Sequence, residues 1–419
     1  MTSASMVRRL LPILGITFID IVGFSMLIPM LPYFVTHFGV SAFVVGLLMA
    51  TFSLCQFVSA PLWGSLSDRL GRKMVLIISQ IGATIGWVML GLAPNIAVWL
   101  AIAPITVVFL ARVVEGVSGG NISITQAYVA DLVEPRMRSR AFGLISAMFA
   151  AGMVFGPLGG GLLYARYGFA VPFLVAAALQ FLTLVVTIVM LPESHTRPQE
   201  EERFSIRAIL ASFGKPYLSR LLWQKLAIAL ALYGWFAVFS LYFQRQLGFS
   251  LSQTDYFFSF FAIFNVIMNA FVVGRVSARM GDRWMSNLGL ASLIVGFASL
   301  PFVRDVGLLA ATMLLFSFGI ALANTGITAL ISNAASDRDQ GMVLGTSSSL
   351  DSLSGILAPP ISTKLLATFG PGFAGVESLT MASVALVMGL YNARGEASAV
   401  RSDDGALALE VEAANIVDG

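Results

Sequence analysis

The sequence predicts an all-α integral membrane protein with twelve transmembrane helices in two pseudo-symmetric six-helix bundles. Three observations lead there. Of the 419 residues, 57% are hydrophobic and only 11% charged, with a mean hydropathy of +0.86; a soluble domain carries about 25% charged residues. Apolar runs of about 20 residues, long enough to cross a hydrocarbon core of about 30 Å, recur as far as Asn392. Finally, Gly64-Ser65-Leu66-Ser67-Asp68-Arg69-Leu70-Gly71-Arg72-Lys73 returns in the second half as Gly274-Arg275-Val276-Ser277-Ala278-Arg279-Met280-Gly281-Asp282-Arg283. Each copy lies between two apolar segments, as a short, charged, glycine-marked hairpin at a membrane surface would.

The twelve spans run over residues 10–34, 42–63, 74–93, 100–130, 140–165, 169–191, 221–244, 253–273, 284–302, 307–333, 341–366 and 372–392. They give a first bundle over 1–191, a cytoplasmic linker over 192–220, a second bundle over 221–392 and a disordered, acidic cytoplasmic tail over 393–419. The first span is too long for the apolar region of a signal peptide and lacks a small-residue cleavage site, so it is expected to stay as an anchor. In the linker, Ile206, Ile209, Leu210 and Phe213 follow helical spacing with Arg207 opposite, which predicts a short amphipathic helix on the membrane surface. Glu200-Glu201-Glu202 reads as a solvated run.

Most of the 25 basic residues fall on one set of span ends, including Arg8, Arg9, Arg69, Arg72, Lys73, Arg136, Arg138 and Arg140. The positive-inside bias places both termini in the cytoplasm, with the chain multi-pass in a cell (inner) membrane. The basic loops therefore need no nucleic-acid partner. Cys55 is the one cysteine, which excludes an internal disulfide and a cysteine metal cluster and leaves a buried packing role. His37 and His195 fall on opposite sides of the membrane, so no metal site is expected, and no phosphate-binding loop or other cofactor signal is present.

The duplication extends beyond the hairpin. Gly116, Asn121, Ile124 and Thr125 in span 4 match Gly319, Asn324, Ile327 and Thr328 in span 10 at constant spacing. Gly143 and Pro157 in span 5 match Gly345 and Pro359 in span 11, and Gly39-Val40-Ser41 resembles Gly248-Phe249-Ser250. Parallel repeats of this kind relate two bundles by an axis along the membrane normal. They are the architecture of alternating-access carriers, with a cavity at the interface.

These residues resemble the major facilitator superfamily over nearly the whole chain to about residue 392. The segment Gly64 to Lys73 is similar to the family's cytoplasmic loop signature, and Arg112 with Gly116 to that of span 4. Gly152-Met153-Val154-Phe155-Gly156-Pro157-Leu158-Gly159-Gly160-Gly161 resembles the span 5 signature found mainly in antiporters. Asp20 with Gly23, Pro29, Leu31 and Pro32 looks like the first span of drug:proton antiporters, particularly tetracycline-efflux-like members. Glu115 departs from the pattern, which more often has glutamine there. The resemblance implies a monomeric secondary transporter, not an enzyme, that exports a small amphipathic or hydrophobic compound in exchange for protons. Proton-linked metabolite uptake and lipid flipping are the alternatives within the same fold. It also implies that Asp68 and Arg72, with Gly64, Arg69 and Gly71 around them, lock the cytoplasmic side. Arg72 has Asp131, at the inner end of span 4, as a partner. A plain topogenic turn is the competing reading.

Four residues stand out inside the spans: Asp20, Arg112, Glu115 and Asp351. A charge at the bilayer centre costs about 2.5–3.5 kcal/mol on insertion scales, so such residues face a cavity or each other. Their counterparts in the other half are Ala229, Leu315, Phe318 and Phe149, so each charge breaks the internal symmetry, as function-specific sites do. Arg112 and Glu115 are three residues apart on one helix face and can pair. All four are candidates for proton coupling, and a structural buried ion pair is the competing reading for Arg112 and Glu115. Lys225, near the inner end of span 7, is expected to snorkel. Asn121, Gln126, Asn265, Asn269 and Asn324, with Tyr233 and Trp235, are candidate cavity contacts, with interhelical packing as the alternative. Gly152, Gly156, Gly160 and Gly161 form a small-residue face for close helix approach, and Pro157 beside them can bend the helix.

Overall fold

The computed structural model describes residues 3–119, 121–133, 137–194, 213–214, 216–334 and 340–392. Those residues form helices and turns, and no strand occurs among them. The expected amphipathic helix around Ile206 to Phe213, the 200–202 acidic run and the tail from 393 lie outside the described residues, Phe213 excepted.

Helix α1 covers Ser3–Thr36 and α2 covers Ala42–Leu70. After Gly71 come α3 (Arg72–Gly91), α4 (Ala93–Leu100) and α5 (Pro104–Ser118). Helices α6 (Asn121–Leu132), α7 (Arg138–Tyr167) and α8 (Ala170–Met190) complete the first half. The second half holds α9 (Pro216–Leu247), α10 (Leu251–Ile267), α11 (Gly274–Ser299), α12 (Val306–Asn333), α13 (Gln340–Phe369) and α14 (376–392). Among the described residues, nine helical stretches are long and apolar enough to cross a membrane, or ten if α4 and α5, bent by 114°, count as one. The single run expected over 100–130 is thus divided: α4 turns off sharply, Pro104 starts α5, and α6 follows after the break at Gly119.

One of the nine stretches, Leu251–Phe302, is 52 residues long. It contains a π-helical segment at Met268–Val273 and breaks at Gly281, whose φ of 75° is left-handed. Gly71, at the same place in the first copy, has φ of 91°. Gly39 and Gly248 (73° and 68°) form a second such pair, and Gly168 and Gly370 (78° and 88°) a third. Non-glycine residues rarely adopt this conformation. The repeat therefore extends to the backbone angles of its turns.

The core is apolar, as in a soluble protein, but the outer surface is apolar as well. Trp99, Val98, Val189 and Phe181 are exposed, whereas Arg112, Glu115 and Lys225 are buried. Apolar side chains outside and charged ones inside are what a hydrocarbon solvent selects.

Small residues set the helix spacing. A methyl group added at Gly152 would meet Ile21 at 2.7 Å, and one at Gly156 or Gly160 would overlap Ser25 or Met26 of α1. Ser25 Oγ also donates to the Gly152 carbonyl at 2.9 Å. The four glycines do not share one partner, however: Gly161 faces α10 of the other half, where its added methyl would meet Asp255 at 2.8 Å. One residue advances the helix by about 100°, enough to turn Gly161 away from the stripe made by the other three. Replacing Gly156 by Leu is expected to destabilise the protein by about 1–3 kcal/mol through overpacking. Gly159→Leu, at a position with open space, is expected to change little. Thermal unfolding in detergent measures both.

The halves meet along α2–α13 and α7–α10. An added methyl at Gly46 would collide with Pro359 and Thr363, and one at Gly355 with Ser53. Ser252 Oγ donates to the Gly161 carbonyl at 3.0 Å. Tyr33 Oη donates to the Phe249 carbonyl at 2.8 Å and lies 2.8 Å from Thr254 Oγ1. Apart from Ser53 and Gly355, these contacts lie toward the end of the molecule that carries the α1–α2 turn.

Candidate functional site

Arg112 and Glu115 form an ion pair within α5, with side chains 5% and 6% exposed. The Arg112 guanidinium lies 5.1 Å from the centre of the Phe52 ring of α2, close enough for a cation–π contact. Glu115 packs its methylenes on Gly86 of α3, where any added side chain would overlap it. The pair is thus enclosed by α2, α3 and α5. Asp20, half-buried in α1, has an interaction of its own. One turn further, Gly23 lets Trp87 approach to 3.2 Å of where a Cβ would stand.

In the second half the structure corrects the expectation for Lys225. Its side chain is 6% exposed and does not snorkel; Nζ lies 2.9 Å from Asp351 Oδ1 and donates to Asn324 Oδ1 at 3.0 Å. Helices α9, α12 and α13 therefore meet at one ammonium. The ion pair with Asp351 and the hydrogen bond to Asn324 hold the ammonium among these helices. Asp351 is 35% exposed and is the open member of the group.

The other cavity candidates divide. Tyr233 is 39% exposed and lies against Gly355, one turn beyond Asp351. Trp235 is 2% exposed and faces away. It packs with Phe239, Tyr242, Phe297 and Phe316 at centroid distances of 5.0–6.3 Å. Two residues along a helix means nearly opposite faces, so Tyr233 and Trp235 cannot both line one cavity. Asn265 donates to the Ser317 carbonyl at 3.3 Å, Asn269 to Asn265 Oδ1 at 3.0 Å, and Thr325 to Asn269 at 3.5 Å. These amides join helices. Gln126 is exposed on α6; the side chain of Asn121 lies outside those described. Cys55 is half-buried rather than buried, packed where Gly116 lacks a side chain.

The hairpin between α2 and α3 is built on a residue that the motif does not contain. The Glu193 carboxylate accepts from the backbone N–H of Arg72 at 2.9 Å and of Lys73 at 3.2 Å. It caps the first turn of α3, where free N–H groups and the helix dipole favour an anion. Tyr128 Oη holds the same segment by donating to the Pro192 carbonyl at 2.9 Å, and Lys73 Nζ donates to the Ile188 carbonyl at 2.8 Å. Arg72 donates to Ser67 Oγ at 2.5 Å and pairs at 3.4 Å with Asp131, the partner expected at the inner end of span 4. The only sequence signal for Glu193 was an acid directly after span 6. Gly64 has open space around it and allows no close approach; Arg69 is exposed. The side chain of Asp68 lies outside those described. In the second copy Ser277 Oγ donates to Asp282 Oδ1 at 2.6 Å, so the duplicated serine meets an anion where the first meets a cation.

Two further buried acids escaped notice in the sequence. Asp255 is fully buried at the seam between α7 and α10, and Glu377 accepts from Ser362 Oγ at 2.8 Å beside Gly234. Both lie within a few residues of a helix start, at the edges of the spans 253–273 and 372–392.

The profile of the Major Facilitator Superfamily matches residues 13–359 and 237–405 of the chain. Among known proteins, the class C tetracycline resistance protein of Escherichia coli is 30% identical over 399 residues, covering 91% of this chain and 95% of the relative. Multidrug resistance protein 2 of Bacillus subtilis is 26% identical over 355 residues, covering 82% and 85%. Of solved structures, a bacterial homologue of the human lysosomal transporter Spinster superposes with a TM-score of 0.75 at 16% identity, covering 94% of this chain and 98% of that one. The human organic anion transporter MFSD10 gives 0.67 at 22% identity, covering 93% and 100%. A family profile over most of the chain, relatives matched along nearly their full length and a shared fold agree: the chain belongs to the Major Facilitator Superfamily, is a multi-pass membrane transporter of small molecules, and is not an enzyme.

Proposed function

We propose that this transporter is a proton-driven exporter of a small amphipathic or hydrophobic compound, working by alternating access as a monomer in the inner membrane. The observation that carries this reading is the pair of interior charge groups, Arg112–Glu115 in one half and Lys225–Asp351–Asn324 in the other. Such charges in a membrane interior mark ion and substrate pathways. The tetracycline and multidrug resistance relatives support export. Asp20, Glu115 and Asp351, with Arg112, are the proposed proton-coupling residues.

In this reading the nine spans become twelve: α4–α5 count once, Leu251–Phe302 is two arms broken at Gly281, and α13 crosses despite its polar Ser347–Ser352 run. Residues 1–191 and 221–392 are the two bundles. With both termini cytoplasmic, the seam of Tyr33, Gly46, Gly161 and Thr363 closes the outer side, and the cavity opens inward. Everted vesicles holding a pH gradient test the function. Addition of a transported compound is expected to dissipate the gradient; uptake that needs no proton movement would overturn the reading.

The α2–α3 hairpin then acts as the cytoplasmic lock. Asp68→Asn is expected to slow turnover several-fold while intrinsic affinity is kept, because it shifts the population of states rather than the site. Ala278→Asp, where the second copy already works without the acid, is expected to do less. Binding and transport rate measured on the same preparation check this, and a large affinity loss at unchanged turnover would place Asp68 in the substrate path.

A further inference from the structure

We propose that Lys225 carries a proton that is exchanged for a monovalent organic cation bound at Asp351. This rests on the antiport reading and assigns it a residue and a substrate class. The two interior ion pairs are not equivalent. Arg112 and Glu115 are both sealed, and a guanidinium does not give up its proton in proteins. In the other pair the cation is a lysine, which can exist as a neutral amine when buried. Exposure is also unequal within that pair: the Lys225 side chain is 6% exposed and that of Asp351 35%. The acid is reachable from open space and the base is not.

An incoming cation therefore meets Asp351 first. Two cations on one carboxylate would leave a net positive charge in a poorly solvated site. If the organic cation takes Asp351, Lys225 keeps only the Asn324 carbonyl oxygen at 3.0 Å. An ammonium buried without an anion is costly, and the proton leaves. The balance is that Asp351-COO⁻ paired with Lys225-NH₃⁺, plus R⁺, gives Asp351-COO⁻ paired with R⁺, Lys225-NH₂ and H⁺. The amine still donates an N–H to Asn324, so no polar group is orphaned, and the charge of the site is the same before and after. Proton return to Lys225 from the other side of the membrane reverses the step and expels the cation.

Few groups act on this exchange. Among the described residues Asp351 is the one charged partner of Lys225, and Tyr233 is the other titratable group that Asp351 influences. The half-exposed Tyr233 ring beside Gly355 offers a π-face and apolar surface next to the carboxylate. That combination suits a cation with an apolar body.

Tetraphenylphosphonium, a permanent cation with no proton of its own, tests the exchange on purified protein in weakly buffered detergent with a pH-indicating dye. Wild type is expected to release one proton per cation bound, with affinity rising up to about tenfold per pH unit as a one-proton linkage requires. Lys225→Gln is expected to bind without proton release and without pH dependence. Lys225→Arg, which keeps the pair, is expected to bind weakly and also release none. Asp351→Asn is expected to lose binding. Undiminished proton release from both Lys225 variants would overturn the assignment and leave antiport standing on another residue. Binding of naphthalenesulfonate in place of the cation would overturn the substrate class. Cation binding by wild type without any release, together with failure of every transported compound to collapse a vesicle pH gradient, would instead remove the antiport reading itself.

Discussion

Asp20→Asn is expected to abolish gradient-driven transport while leaving the protein inserted and folded. Asparagine keeps the size and polarity of aspartate, so the half-buried position on α1 and the close contact of Gly23 with Trp87 survive. What it cannot do is take up and release a proton. Its counterpart in the other half is alanine, so the scaffold does not need the charge for folding. Accumulation in vesicles under an imposed pH gradient is expected to fall to the level of vesicles lacking the protein, while exchange of labelled for unlabelled compound without a gradient persists. Wild-type accumulation by Asp20→Asn would remove Asp20 from the mechanism.

Arg112→Ala is expected to cost about 3–5 kcal/mol, the range for removing one member of a buried ion pair. Glu115 would be left charged against Gly86 with no counter-ion, and the Phe52 ring would lose its cation. Arg112→Ala combined with Glu115→Gln removes both charges and is expected to recover much of that loss. Thermal unfolding in detergent, analysed as a double-mutant cycle, reads the coupling directly. Strictly additive losses would mean that the two side chains do not stabilise each other. Because both groups are sealed, the cycle reports packing and charge inside the first half, with little contribution from solvent.

What could be read in advance depended on the range of the signal. The Arg112–Glu115 pair was legible because both partners lie on one helical turn, where spacing alone fixes proximity. Arg72 and Asp131 were legible because the hairpin and the end of span 4 fall at the same membrane surface. Lys225 was misjudged because its partners, Asp351 and Asn324, come from helices far away in sequence. For Trp235 the packing alternative holds, and the choice between the two readings needed the rotation of α9, which is not in the local pattern. Glu193 was missed because its ligands are backbone N–H groups, which carry no sequence signature.

The sequence by itself determined that the chain is a duplicated membrane protein of apolar spans with glycine-marked turns between them. Hydropathy, repeat spacing and the left-handed backbone at Gly71 and Gly281 are local properties, written in consecutive residues. Only the tertiary structure decided that Gly161 meets Asp255 across the seam while Gly152, Gly156 and Gly160 serve α1, and that Lys225 is held between α12 and α13. The reason is geometric. In a lipid-solvated bundle nearly every face of every span is apolar, so hydropathy fixes that a helix crosses but not how it is rotated, and rotation chooses the partner of each side chain.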